Sequence, residues 1–248
     1  MGIQFNKTKI GGSVPTIWRG ECKVLPGGFK PKQTFPNGTV IRRGALLHVD
    51  FSNMSAAIVK FGQVVSGGTT TKPRVTKGSY FAVGDTVTKI GDGNASPKVS
   101  AIDTSNEGYD VLTLSAAYSG LTAGDTLVES TDYGYVDAES GDEGALAIVA
   151  NDTESPTSSQ IKLNQVTPYL GEETLAAGGY VKLQKAEAAF NPNMVVAADK
   201  EFNGKGIPAI DAAYEAVVLF PSLTVSIPSE WKTGPCLKDN PNILFIRQ

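Results

Sequence analysis

Two copies of one tetrapeptide pattern, Gly84-Asp85-Thr86-Val87 and Gly124-Asp125-Thr126-Leu127, constrain this chain more than any other feature. Glycine takes positive φ without steric cost, and the aspartate after it can bond its own backbone, so each copy reads as a tight turn. The β-branched and aliphatic residues that follow favour a strand. Between the copies, residues 98–102 and 109–115 read as two further strands, the second setting Val111, Leu112 and Leu114 against Asp110, Thr113 and Ser115. The segment joining them, residues 103–108, is rich in turn formers. Short strands at close spacing with Gly/Asp punctuation predict a compact β barrel or sandwich over about 74–130.

The rest of the chain supports a mainly β protein with few short helices. Its 27 glycines and 14 prolines interrupt any long helix, and 248 residues suffice for one large β domain or two smaller ones with a real core. Residues 1–36 read as an extended N-terminal arm, Gly- and Pro-rich yet carrying Ile17, Trp18, Phe29 and Phe35. A purely disordered tail would be poorer in aromatics. Residues 39–50 form a β segment whose Arg43-Gly44-Ala45-Leu46-Leu47 resembles the Gly-Asp-Thr approaches, and residues 56–65 are another apolar run. Ser66-Gly67-Gly68-Thr69-Thr70-Thr71-Lys72-Pro73 is small, flexible and closed by proline, which places a boundary there. The expected organisation is therefore an arm over 1–36, a β-rich domain from 37–71 with 131–248, and an inserted barrel-like module over 72–130. In the second flank, residues 133–144 read as an acidic exposed loop and 170–177 as a short helix. Residues 145–150, 180–183, 211–219, 223–227 and 242–246 read as strands or apolar runs.

The chemistry available is sparse. His48 is the single histidine and stands between Leu47 and Val49 in a predicted strand, so it reads as structural. One histidine and two distant cysteines, Cys22 and Cys236, leave no zinc spacing; the cysteines are either free thiols or one long-range disulfide. Asp92-Gly93-Asn94-Ala95-Ser96 begins like a calcium loop but has Pro97 where a glycine is required. Gly91-Asp92-Gly93 lacks a surrounding βαβ unit, and Asn203-Gly204-Lys205-Gly206 lacks the phosphate-loop spacing. The acidic pairs Asp137/Glu139 and Asp142/Glu143 have no aromatic company for a sugar ring. No catalytic residue, cofactor or metal is expected, and the enzyme reading is set aside.

A net charge of −3 without a basic block lacks the electrostatic footprint of a nucleic-acid binder. The start, Met1-Gly2-Ile3-Gln4-Phe5-Asn6-Lys7, has no apolar signal core, and no apolar run approaches the roughly 18 residues that span a bilayer. Neither nucleic acid nor membrane is an expected partner.

Several stretches resemble structural proteins of tailed bacteriophages, in particular head-decoration, auxiliary capsid or head-fibre proteins of gut Bacteroides-type phages. They are Lys77-Gly78-Ser79-Tyr80-Phe81-Ala82-Val83-Gly84-Asp85, Ala101-Ile102-Asp103-Thr104-Ser105, Tyr109-Asp110-Val111-Leu112-Thr113-Leu114-Ser115 and Ala123-Gly124-Asp125-Thr126-Leu127. The end, Phe220-Pro221-Ser222-Leu223-Thr224-Val225 and Asn240-Pro241-Asn242-Ile243-Leu244-Phe245-Ile246, adds to the likeness, which covers about half the chain. The resemblance implies a non-enzymatic virion protein, made in the host cytoplasm, that sits on the capsid surface. Its expected partners are the major capsid protein or other virion proteins, and further copies of itself in a homo-oligomer. The expected adhesive residues are Ile17, Trp18, Phe29 and Phe35 of the arm, with Trp231 near the C-terminus, since aromatics in extended segments make efficient interface anchors. Rival readings are a carbohydrate- or cell-surface-binding fibre module and a major capsid protein.

Overall fold

The computed structural model describes residues 17–26, 28–170, 173–202, 209–219 and 226–247. Within them the chain is mainly β, with one α-helix of a single turn, Leu163–Val166, and a short 3-10 turn, Ser229–Trp231. Leu170 and residues 173–177 are not helical. Leu170 and Leu175 pack against a small core, and the Ala176–Gly179 turn, with Gly178 at φ 86°, leads into the strand Tyr180–Gln184. Leu170 and Leu175 serve that packing instead of a helix face, while Ala176 and Ala177 are exposed. Residues 221–225, and with them most of the expected strand 223–227, lie outside the described residues.

A six-stranded sheet curls into a half-barrel in the order Val87–Lys89, Thr126–Glu129, Phe61–Val65, Arg74–Thr76, Tyr109–Leu114, Val99–Asp103. A bridge between Thr86 and Lys98 draws its two edges together. Val64, Val75, Val87, Val99, Leu112 and Leu127 fill the inside. The predicted β module is therefore present, but its sheet starts at Phe61. Phe61–Val65 pairs with both Thr126–Glu129 and Arg74–Thr76, so the boundary expected at 66–73 falls in a hairpin loop inside the sheet. Loop composition identified the turn correctly; only pairing partners reveal which sheet owns the strand before it.

The turn chemistry read from the sequence holds. Asp85 N–H donates to the Ala82 carbonyl at 3.2 Å while its carboxylate accepts Ala82 N–H at 2.7 Å. Asp125 repeats both bonds with Thr122, at 3.1 and 2.7 Å. The intervening glycines sit at φ 101° and 97°. A third copy, Glu139-Ser140-Gly141-Asp142, follows the same pattern with Gly141 at φ 99°.

The largest sheet runs Lys232–Thr233, Cys236–Leu237, Asn240–Ile246, Ala212–Leu219, Met194–Val196, Leu46–Asp50, Ser55–Ile58, Lys30–Pro31, with Lys23–Val24 pairing onto Ala212–Leu219. Thr39–Ile41 pairs with Lys200–Phe202. A four-stranded sheet holds Gly134–Ala138, Tyr180–Gln184, Ala145–Ala150 and Gln160–Lys162. Residues 134–138, expected within an acidic loop, are a strand because Tyr135 and Val136 pair along Tyr180–Gln184; the loop is confined to 139–144.

Ser55–Ile58 and Phe61–Val65 follow one another yet belong to different sheets, so residues 59–60 form the joint between the half-barrel and the largest sheet. Alternation puts Val64 and Leu127 inside the half-barrel, while Phe61 and Val128 join the core of the largest sheet with Leu46, Val195, Val218 and Phe245.

Candidate partner-binding surface

Three of the five residues expected to be adhesive are buried in the chain's own core. Phe29 and Phe35 lie in one cluster with Ile41, Leu47 and Phe202, and Trp231 packs edge-on to Phe61 at 5.3 Å in another. Ile17 and Trp18 are half-buried against the Trp231 cluster, where Trp18 bridges to Val218. Strand addition explains this correction: Lys23–Val24 and Lys30–Pro31 extend the largest sheet, and their apolar neighbours fold under it. Residues 1–16 of the expected arm lie outside the described residues.

Among the described residues the exposed large apolar side chains are Val24, Phe51, Met54, Val83, Leu146 and Tyr169, two of them on one turn. Phe51 and Met54, 57% and 52% exposed, share the turn that joins Leu46–Asp50 to Ser55–Ile58. Asp50 fixes that turn. Its carboxylate accepts the Ser52 N–H (3.1 Å) and hydroxyl (2.5 Å), the Asn53 amide (2.9 Å) and the Lys32 ammonium (3.1 Å). These bonds, led by Ser52, hold the Asp50 carboxyl well below the usual carboxylate range. Met54 stands at φ 48°, a left-handed conformation unusual for a non-glycine residue. Phe51 leans edge-on against buried Phe29 at 6.1 Å. The turn thus presents two large apolar side chains on a backbone held by side-chain bonds, a feature of preorganised surfaces. The sequence offered a signal in Asp50-Phe51-Ser52-Asn53-Met54, a turn flanked by strands with hydrophobics at its tip, but aromatic content directed attention to the arm.

A buried charge cluster lies at the joint, beyond the strand that follows this turn. Lys60, only 5% exposed, donates to both oxygens of Asp85 at 2.8 Å and to Glu129 at 3.1 Å. The Gln33 amide donates to Glu129 at 3.0 Å and exchanges two bonds with the Ile58 backbone, at 2.9 and 2.7 Å. Burial pushes the Glu129 carboxyl upward with help from the Asp85 charge, against the lowering influence of Lys60 and Gln33. Neither of two surface clefts, one lined by residues 88–93 with 185–188 and the other by residues 64–70 with Leu121, is lined by any member of this cluster. Its geometry ties the arm's Gln33, the joint and the half-barrel together.

The remaining expected sites are placed as follows. His48 Nδ1 lies 2.7 Å from the Asn191 carbonyl, and the ring packs near Phe190. Cys22 and Cys236 are free thiols. Among the described residues no three His, Cys, Asp or Glu side chains converge as a metal site, and no helix is long and apolar enough to cross a membrane. Comparison with protein-family models, with curated proteins and with solved structures found no match to this chain.

Proposed function

We propose that this chain is a structural virion protein of a tailed bacteriophage, held on the capsid surface in a decoration, auxiliary capsid or fibre-anchoring role, and that it is not an enzyme. The observation that carries the reading is the locked Phe51–Met54 turn. It presents apolar area outward on a fixed backbone, while buried Lys60, with Asp85 and Glu129, ties strands together. Exposed apolar groups on a rigid support suit a protein that is assembled into a larger surface. The resemblance of residues 77–85 and 109–115 to phage head proteins supplies the kind of surface.

Co-sedimentation tests this. Purified chain, mixed with heads of gut Bacteroides-type tailed phages stripped of their auxiliary proteins, is expected to pellet with the heads and saturate at a fixed ratio per capsid subunit. A chain that stays in the supernatant with every head preparation, or that pellets instead with glycan-bearing host cells, contradicts the reading and favours the fibre-tip alternative.

A further inference from the structure

We infer that Lys60 and Asp85 condense into an intramolecular isopeptide bond, with Glu129 carrying the proton, so that an amide staples the joint to the turn before Val87–Lys89. The reaction is a single self-modification, not turnover of a substrate, and it goes beyond the capsid role proposed above.

The geometry sets this cluster apart from an ordinary ion pair. The pairs of Lys77 and Lys89 leave those side chains 29% exposed, whereas Lys60 is 5% exposed and Asp85 and Glu129 are mostly buried. The Lys60 nitrogen lies 2.8 Å from both Asp85 oxygens, which puts the carbon between them within the roughly 3.5 Å of a near-attack arrangement. Glu129 Oε1 reaches the same nitrogen at 3.1 Å, and the Gln33 amide holds the other oxygen, Oε2, at 3.0 Å. Gln33 thereby aims Oε1 at the amine. The Ala82 N–H donates to Asp85 Oδ2 at 2.7 Å, where negative charge gathers as an amine adds to the carboxyl carbon. The buried Phe35 ring stands 5.9 Å from the Lys60 nitrogen and shields it from water.

One ammonium between two buried carboxylates is a costly arrangement for a purely structural salt bridge. Burial raises the Glu129 carboxyl, so it holds its proton to higher pH than an ordinary glutamate does. That proton is the one the condensation needs. The steps balance as follows. The ammonium proton crosses to Asp85 Oδ1, leaving a neutral amine beside a neutral acid. The Nζ lone pair bonds to Asp85 Cγ, and Ala82 N–H holds the charge that develops on Oδ2. Glu129 gives its proton to the Oδ1 hydroxyl and takes one from the nitrogen, the Cγ–Oδ1 bond breaks, and one water leaves. Nothing is oxidised or reduced, and Glu129 ends as it began. The product removes the Lys60 and Asp85 charges together. It also closes a loop around Phe61–Val65 and Arg74–Thr76, a disulfide-like constraint in a chain whose two cysteines are free.

The test is the intact mass of the denatured full-length chain. Wild type is expected to be lighter than its sequence by one water, and Lys60→Arg and Glu129→Gln are expected at full mass. Trypsin should leave residues 44–74 and 78–89 joined through Lys60 and Asp85 in one branched peptide, with no cut after Lys60. Wild type at full mass overturns the inference whether or not the variants fold. So does a water loss that maps to residues 90–98, where Asp92-Gly93 can close to a succinimide, or a Glu129→Gln chain that loses water as wild type does. No phage head enters the measurement, so the virion reading and this inference fail separately.

Discussion

At the scale of single residues, polar side chains do the work that backbone cannot. Gln33 completes the ladder at Ile58, and Asn193 does the same at Val49, accepting its N–H at 2.8 Å and donating to its carbonyl at 2.9 Å. A carboxamide has one donor and one acceptor side, so it substitutes for a peptide group where the neighbouring strand has turned away. Lys60 is the residue with the largest expected effect. Replacing it by Met keeps the apolar stem but leaves Asp85 and Glu129 buried and facing each other, and should cost about 3–5 kcal/mol in urea unfolding. A loss within error of zero would mean that water reaches the joint. Glu129 carries a pH signature. Its folded-state value is raised, so the folded chain holds that proton more tightly than the unfolded chain does, and stability falls as pH rises from about 4.5 through the raised value. Glu129→Gln, measured by urea midpoints across this range, should flatten that fall. A wild-type curve that rises there, with no change in the variant, contradicts the assignment. None of these roles was legible in the sequence, because Gln33, Lys60 and Asn193 stand in segments whose composition reads as loop or strand end, and their partners lie far away along the chain.

At the scale of elements, the Gly-Asp turns were legible down to the bond. Glycine sets the positive φ and aspartate closes the turn from both backbone and side chain, which is local chemistry needing no tertiary knowledge. Glycines in different settings should therefore respond differently to alanine. A Cβ at Gly84 meets nothing within 4 Å, so only the backbone is strained and Gly84→Ala should cost about 1 kcal/mol. At Gly93, with φ 66°, the same group would strike the Ala186 carbonyl oxygen and crowd Lys185, so Gly93→Ala should cost about 3 kcal/mol. Thermal unfolding of the two variants checks the order, and equal losses would contradict it. What was not legible at this scale was ownership. Residues 56–65 read as a single apolar run, whereas the chain changes sheets at Val59-Lys60. The 170–177 stretch has helical composition, but its leucines pack individually around Val149, Val166 and Val181.

At the scale of the whole molecule, mutual dependence of the parts follows from strand order. Phe61–Val65 stands in the middle of the half-barrel, so residues 72–130 alone contain two sheet fragments that lack the strand between them and are joined only at their far edges, through the Thr86–Lys98 bridge. That fragment should show no cooperative unfolding by circular dichroism, while one beginning at residue 59 should recover β signal; a cooperative transition in the shorter fragment would contradict the topology. The half-barrel is tied to the rest by the Lys60 cluster, by Trp231 on Phe61, and by Tyr80, which lies edge-on to Phe35 and whose hydroxyl accepts Arg42 N–H at 3.0 Å. The sequence identified the β class and the turn-rich module, since both depend on local pattern. It misassigned the aromatic anchors because burial of Phe29, Phe35 and Trp231 is decided by long-range pairing, and the exposed tip at Phe51 and Met54 emerges only once that pairing is known. The proposed place of this chain in a phage head is tested most directly by immunogold electron microscopy of intact virions. Antibody raised against the purified chain is expected to label heads at regular surface positions. Particles left unlabelled, or labelled only at tail tips, would contradict it.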